Sequence, residues 1–234
     1  MNHSHPPEMT LRETRDGSHT LMRTDLDESY HSLHGALTES QYVFLDQGLH
    51  RCPTPPAGQP VHILEIGLGT GLNVLLTALA TASPDNPPVV MVSLEPIPVP
   101  ESLIAHLNYP DKLPDATRAK NLLRQIHTGP WSRPFPLGDR FTLRKEQTTL
   151  EAFDAPLESF DLIYFDAFAP NKQAEIWSSD NLTKCRKYLT PGGLLVTYCA
   201  QGQFKRNLKA AGFEVEALAG PPGKKQMTRG WKRD

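Results

Sequence analysis

The sequence predicts an α/β fold: a mostly parallel sheet of seven strands, one of them antiparallel, entered through a small N-terminal cover. Three observations carry this reading. Val61 to Ile66 is an apolar run of strand type that meets a cluster of glycines, Gly67, Gly69 and Gly71, and passes into an apolar helical run from Leu72. From Val61 onward, strand and helix patterns alternate with little interruption, as in a parallel sheet covered by helices. The last two strand-like runs, Phe213 to Ala217 and Gln226 to Trp231, are joined by G-P-P-G-K-K, so the final strand enters by reversal.

Composition bounds the rest. A chain of 234 residues, 38% hydrophobic and 21% charged, has room for one substantial core and an appendage. We expect residues 1–60 to form a hairpin-and-helix extension ending in a proline-rich linker, and residues 61–234 to form the main domain. The N-terminal M-N-H-S-H-P-P-E-M-T is polar, and no run approaches the roughly 18 apolar residues of a membrane span. A cytoplasmic protein without a membrane segment is expected. Cys52, Cys185 and Cys199 are widely spaced with no C-x-x-C, which predicts neither a disulfide framework nor a zinc site. His3 and His5 fall in the polar tail, and His31 and His34 lack further ligands, so no metal is expected.

In chain order, Leu11 to Arg15 and Ser18 to Arg23 flank Asp16-Gly17, the dipeptide of a type I′ hairpin turn. Thr38 or Ser40 then provides the cap of a helix that carries Val43, Phe44 and Leu45 into the core. Cys52 to Pro60, C-P-T-P-P-A-G-Q-P, is a linker. After the strand at Val61 and its helix, the second strand is Val89 to Leu94, ending in Glu95. Helical patterns cover Glu101 to Leu107 and Ala116 to His127, and the third strand is Phe141 to Lys145. Leu162 to Phe165 form the fourth strand, which delivers Asp166, Phe168 and Pro170 at its carboxyl end. Trp177 to Tyr188 read as a helix, T-P-G-G as a turn, Leu194 to Cys199 as the fifth strand and Phe204 to Ala211 as a helix.

The glycine junction points to a ligand. Glycines admit positive φ and let a ligand approach the backbone without Cβ atoms in the way. A dinucleotide fingerprint would need Gly or Ala where Leu72 stands, and the Glu65 carboxylate just before the loop would repel a pyrophosphate. A ligand with an ammonium and a sulfonium, and a carboxylate for the loop N–H groups, suits both features, and S-adenosyl-L-methionine is that ligand. Glu95, roughly thirty residues into the βαβ unit, is placed for both ribose hydroxyls. In enzymes that use this cofactor the turn after the third strand usually holds an acidic or amide residue for the adenine amino group, and here Glu146 and Gln147 are both available. Seven strands with one antiparallel make the sheet of a Rossmann-like class I methyltransferase.

The segments D-G-S-H-T-L, Y-H-S-L-H-G-A-L-T-E-S, L-E-I-G-L-G-T-G-L-N, Y-F-D-A-F-A-P and G-P-P-G-K-K-Q-M-T-R resemble the MnmD family and the methyltransferase half of the bifunctional MnmC enzymes. The resemblance runs from about Asp16 to Trp231. It implies adenosylmethionine-dependent N-methylation of the 5-aminomethyl group on the wobble uridine, often 2-thiolated, in the anticodon loop of certain tRNAs. It adds Asn73 to the cofactor residues Glu65, Gly67, Gly69, Gly71 and Glu95. Asp166 is then the group that orients the amine and takes its proton. Tyr30, Glu39, Phe168 and Pro170 fall to the substrate, with Phe168 stacking on the uracil. No flavin-dependent oxidoreductase domain is expected, so a separate enzyme would supply the aminomethyl group.

Net charge is −2, but from Lys205 onward eight positive residues face three negative ones, net +5, which leaves −7 elsewhere. Lys224, Lys225 and Arg229 in this end are expected to follow tRNA phosphates. Two other activities fit the same motifs: an aminopropyltransferase of the spermidine-synthase type, and a non-catalytic RNA-binding protein with a vestigial cofactor fold. Activity on a free diamine marks the former and failure to bind the cofactor the latter.

Overall fold

The computed structural model describes residues 8–234, so the tail with His3 and His5 lies outside the described residues. Strands β1 (Met9–Glu13) and β2 (His19–Arg23) pair antiparallel, and a short β3 (Glu28–Ser29) joins β2. The ladder closes with Glu13 opposite His19, so a five-residue loop connects the strands. Gly17 alone in that loop has positive φ, 76°, whereas a type I′ turn needs it at both central residues. The expected type I′ turn is therefore absent.

Asp16 is committed elsewhere. Its carboxylate accepts the N–H groups of Ser18 and Thr38, each at 3.0 Å, and the hydroxyls of Thr14 and Thr38, each at 2.8 Å. Burial works the other way, but these hydrogen bonds hold its pKa well below the usual carboxylate range. Ser18 Oγ meanwhile accepts from Ala36 and Leu37 N–H at 3.2 and 3.3 Å. Helix α1 (Ala36–Ser40) is thus capped by side chains some twenty residues upstream, and the two expected caps, Thr38 and Ser40, lie inside it. A wide π-type turn over Gln41–Asp46 continues it and buries Val43, Phe44 and Leu45. Leu21, Ala36 and Phe44 share one apolar cluster with Ile63 and Tyr164, so this cover packs directly on the main layer.

After the irregular Cys52 to Pro60, the main domain runs β4 (Val61–Ile66), α2 (Leu72–Ala80), β5 (Val89–Leu94), α3 (Glu101–Ile104), α4 (Ala116–Thr128), β6 (Phe135–Pro136), β7 (Phe141–Glu146), β8 (Phe160–Phe165), α5 (Ser179–Tyr188), β9 (Leu189–Thr197), α6 (Gly202–Ala210), β10 (Glu214–Ala219) and β11 (Gln226–Trp231). The sheet order is β10-β11-β9-β8-β4-β5-β7-β6. The seven expected strands are all there, with β11 antiparallel to both neighbours, and the two-residue β6 adds an eighth at the edge, antiparallel to β7. Helix α3 is shorter than expected. Tyr109–Lys112 instead form a 3-10 turn, and the Asn108 amide just before it is tied to the hairpin, donating to Gly17 O and accepting from His19 N–H. T-P-G-G is not a free turn: β9 runs through it, pairing Leu189 with Phe160 and Leu194 with Leu162 across a bulge.

Two apolar layers sandwich the sheet. Ile63, Met91, Tyr164 and Val196 pack with Leu75 of α2 and Ile126 of α4, while Leu64, Ile163, Phe165 and Leu195 pack with Leu182 of α5 and Leu208 of α6. From β4 the chain builds outward through β5 to β7, then returns to place β8 on the other side of β4. The strand order reverses between β4 and β8, and ligands bind at the carboxyl ends of strands at such a point. Among the described residues no helix is long and apolar enough to cross a membrane.

Candidate active site

The loops leaving β4 and β8 meet at that reversal. Asp166 N–H continues the ladder to Ile66 O at 2.9 Å, and a Cβ on Gly67 would lie 2.4 Å from the Asp166 carbonyl oxygen. Gly67 has φ 95° and Gly69 φ 51°, so the loop needs glycine for conformation as well as for space. The loop borders a cavity of about 460 Å³. A Cβ on Gly69 would come within 2.8 Å of the Tyr30 ring. Gly69→Val should therefore lower adenosylmethionine affinity at least tenfold, a loss of about 1.4 kcal/mol or more, because a β-branched residue is strained at positive φ. Calorimetry checks this, and unchanged affinity would remove the loop from the cofactor site.

Three acids stand around the loop. Glu95 is buried, and its carboxylate accepts from Gly69 and Ile97 N–H, each at 2.9 Å. Burial raises its pKa against these two bonds. Glu65, fully buried, is hydrogen-bonded by Ser93 Oγ of the neighbouring strand, and burial pushes its pKa up to about 8, with Asp166 and Glu95 adding to the rise. Asp166 is half-buried and opens onto the cavity. Burial pushes its pKa up to about 7, opposed by a 2.8 Å hydrogen bond from Asn73 Nδ2.

Among the described residues no donor reaches Glu65 Oε1 or Asn73 Oδ1, although both are buried. Two such acceptors beside a loop of N–H groups are costly unless a ligand supplies donors. An ammonium would serve the Asn73 oxygen, which lines the cavity, hydroxyls would suit the Glu95 carboxylate, and a carboxylate would suit the loop; Glu65, behind the lining and with its pKa raised to about 8, keeps a proton of its own at neutral pH. The residues present therefore fit S-adenosyl-L-methionine. No group of three or more His, Cys, Asp or Glu among the described residues is placed to hold a metal.

The outer half of the cavity is closed by the N-terminal cover and the loop after β8. Tyr30 meets Phe168 edge to face at 4.9 Å between centroids, and the Arg23 guanidinium, paired with Asp25, lies 5.7 Å from the Phe168 ring. Trp177 Nε1–H and the Tyr198 hydroxyl donate to Phe168 O and Ala167 O, both at 2.7 Å, which pins the loop carrying Asp166. Opposite, Glu39 accepts Ser32 N–H at 2.8 Å and pairs with Lys224 Nζ at 2.5 Å, whose ammonium sits 3.9 Å above the Tyr198 ring. Glu28, Glu39, Glu95, Glu151, Asp166 and Glu175 line the cavity against only Arg23 and Lys224. Such a lining favours cationic guests and disfavours phosphate.

The structure thus gathers Gly67, Gly69, Asn73, Glu95, Tyr30, Glu39, Asp166, Phe168 and Lys224 around one cavity, with Glu65 behind it and Gly71 capping α2 in the left-handed conformation. Five expected residues are not brought there, one of them the exposed Lys225. Glu146 is turned away, paired with Arg144 and bonded by Ser132 Oγ at 2.9 Å. Gln147 and Pro170 lie outside the lining, whereas Thr148 to Glu151, which follow Gln147 in the chain leaving β7, belong to it. Arg229 is spent on Glu216 at 2.7 Å and lies 5.2 Å from the Trp231 ring. Sequence reasoning missed Arg23 and Tyr198, whose only signal is position at a strand end.

Comparison with known proteins is consistent with this geometry. Residues 142–233 match a family described as S-adenosyl-L-methionine-dependent methyltransferase. Over 208 residues the chain is 33% identical to the tRNA 5-methylaminomethyl-2-thiouridine biosynthesis bifunctional protein MnmC of Ectopseudomonas mendocina, covering 86% of this chain and 32% of that protein. The chain spans about a third of the length of the curated relatives it matches. The solved structure of MNMC2 from Aquifex aeolicus covers 98% of this chain, and 71% of that chain is matched, with TM-score 0.75 at 24% identity. Spermidine synthase from Thermotoga maritima shares the fold at TM-score 0.51 and 12% identity, over 100% of this chain and 83% of that one.

Proposed function

The chain belongs to the S-adenosyl-L-methionine-dependent methyltransferases represented in the bifunctional MnmC proteins, and on that premise we propose that it N-methylates the 5-aminomethyl group of uridine or 2-thiouridine at the wobble position of tRNA. The observation that carries this is Asp166: a carboxyl with pKa about 7, held by Asn73 in an acid-lined cavity at the strand reversal. Bound adenosylmethionine supplies an electrophilic methyl group on a cationic sulfur. The amine that attacks it needs a lone pair, and an alkylammonium has none. Asp166 orients that nitrogen and receives its proton, which a carboxyl titrating near neutrality does better than an ordinary aspartate. Tyr30 and Phe168 shut out water and offer ring faces to the uracil. A wobble base already lies in a single-stranded loop, which lowers the cost of extruding it into the cavity.

The acidic lining also suits a free diamine, the aminopropyltransferase reading. Purified protein should methylate tRNA carrying 5-aminomethyluridine, seen as a 14-dalton gain on that nucleoside by mass spectrometry, and should leave diamines unchanged with either adenosylmethionine or its decarboxylated form. Diamine alkylation with inert tRNA would replace this reading with the second one, and cofactor binding without any transfer would point to a non-catalytic RNA binder.

For the RNA surface, the ion pairs favour Lys205 and Lys225 over the Lys224 and Arg229 of the sequence expectation. Of the C-terminal cations, Lys224, Arg229, Lys232 and Arg233 are paired with Glu39, Glu216, Glu158 and Glu214. Among the described residues Lys205 and Lys225 carry no such pair; Lys205 Nζ donates to Gln226 at 3.1 Å, beside exposed Lys225. Replacing both by alanine should weaken tRNA binding and flatten its salt dependence by about 0.7 to 0.9 log–log unit per lost contact, with cofactor affinity intact. Arg229→Ala should instead lower stability. A salt slope equal to that of the unaltered protein would move the RNA surface away from this edge.

A further inference from the structure

Behind the glycine loop, away from the cavity, stand two polar side chains that the proposed reaction does not use. Tyr109 is fully buried, and its hydroxyl donates to Thr70 Oγ1 at 3.1 Å. His127, near the end of α4, places Nε2 3.0 Å from the Thr70 carbonyl oxygen. A carbonyl only accepts, so Nε2 carries the proton and the neutral ring leaves Nδ1 bare. The ring also abuts the loop, since a Cβ on Gly71 would lie 3.0 Å from Nε2. The His127 backbone is itself held: the ammonium of fully buried Lys145 donates to its carbonyl at 3.0 Å and lies 4.6 Å from the Trp131 ring centroid.

Thr70 is thus clasped at both its hydroxyl and its carbonyl, and it lines the cavity. The N–H groups of Gly67 and Leu68 are bonded to Leu94 O, that of Gly69 to Glu95 and that of Gly71 to Leu68 O. Thr70 N–H has no acceptor among the described residues.

We propose that His127 and Tyr109 are positioning residues: by clasping Thr70 from behind, they aim its N–H into the cavity as a donor for the carboxylate of the cofactor's amino-acid part. The proposal rests on adenosylmethionine being the ligand and is independent of the tRNA substrate. His127 holds the Thr70–Gly71 peptide and Tyr109 the Thr70 side chain, so losing the clasp lets residue 70 rotate and the adjoining Gly69–Thr70 peptide, which carries the N–H, turn with it; binding of the carboxylate suffers while binding of the adenosine part does not.

Calorimetry with two probes tests this, adenosylmethionine and 5′-methylthioadenosine, which lacks the amino-acid part. His127→Leu should weaken adenosylmethionine about tenfold and leave methylthioadenosine within twofold. His127→Gln, whose amide N–H has a similar reach, should restore most of the loss. Equal losses for both probes, or none for either, would overturn the proposal, as would a failure of glutamine to rescue. If His127→Leu does not fold, Tyr109→Phe, which removes a single oxygen, decides by the same selectivity. Wild-type protein that binds neither probe would overturn the cofactor reading itself, a result distinct from all of these.

Discussion

Asp166→Asn is expected to lower the single-turnover rate of methyl transfer by about 10² to 10⁴, with cofactor and tRNA still bound. Asparagine keeps the size and an oxygen for Asn73 Nδ2, which donates to Asp166 at 2.8 Å, but it can neither take a proton nor balance a developing ammonium. The pH profile carries the finer test. Because burial raises the Asp166 pKa to about 7, the wild-type rate should climb as pH rises through that value, when the carboxyl loses its proton and becomes an acceptor. The variant has no such limb. Its rate should rise only at higher pH, following the fraction of substrate amine that is already neutral, with an alkylamine pKa of about 10. A variant within threefold of wild type across the range would show that Asp166 is not the proton acceptor. A uniform loss at every pH would leave it the role of shaping the loop.

Glu95→Ala should cost about 10² to 10³ in adenosylmethionine affinity. The sequence assigns Glu95 only to the ribose, yet its carboxylate also receives the N–H groups of Gly69 and Ile97 at 2.9 Å each. Removing it leaves two donors unpaired in a buried place and loosens the glycine loop; hydrogen bonds to a charged group are worth about 1.5–3 kcal/mol each, of which rearrangement and water recover part. Glu95→Gln retains one acceptor oxygen and should fall between. Unlike His127→Leu, which spares methylthioadenosine, Glu95→Ala should weaken adenosylmethionine and methylthioadenosine alike, because both carry the ribose. Calorimetry on the two ligands separates the cases, and an alanine variant with unchanged affinity for both would remove Glu95 from the site.

Much of the site is legible in the sequence where one short segment contains both the element and its function. In Val61 to Leu75 the apolar strand, the positive-φ glycines and the following helix are neighbours in the chain, so local rules suffice. The same holds for Phe160 to Asp166, where a buried strand must release its next residue at the sheet edge. Reading side-chain direction past a strand end is harder. Glu146 and Gln147 follow β7, but Arg144 and Ser132 draw Glu146 away, and the chain delivers Thr148 to Glu151 to the cavity instead. Ser132 lies on a separate segment whose approach no local pattern reveals.

Charge counting fails for a related reason. The C-terminal end is net +5 in the sequence, but its acidic partners come from several places: Glu214 and Glu216 are local, whereas Glu39 and Glu158 arrive through the fold. An unpaired-looking Lys224 becomes a cavity residue, and Arg229 becomes a structural one.

By itself, then, the sequence determined the order and type of the seven main strands and the principal helices from Val61 onward, the glycine loop, and the acids at three strand ends, because apolar periodicity, glycine conformation and strand termination act over a few residues; the edge strand β6, the 3-10 turn and the run of β9 through T-P-G-G escaped it. Tertiary structure alone decided what depends on segments distant in the chain meeting. The reversal between β4 and β8 brings Asp166 beside Gly67. Asp16 and Ser18 cap a helix that Thr38 and Ser40 were expected to cap. Tyr109 and His127 reach Thr70 from 39 and 57 residues away. Hydrogen bonds and ion pairs of this kind are short-ranged, so their partners are set by packing geometry, which no window of sequence contains.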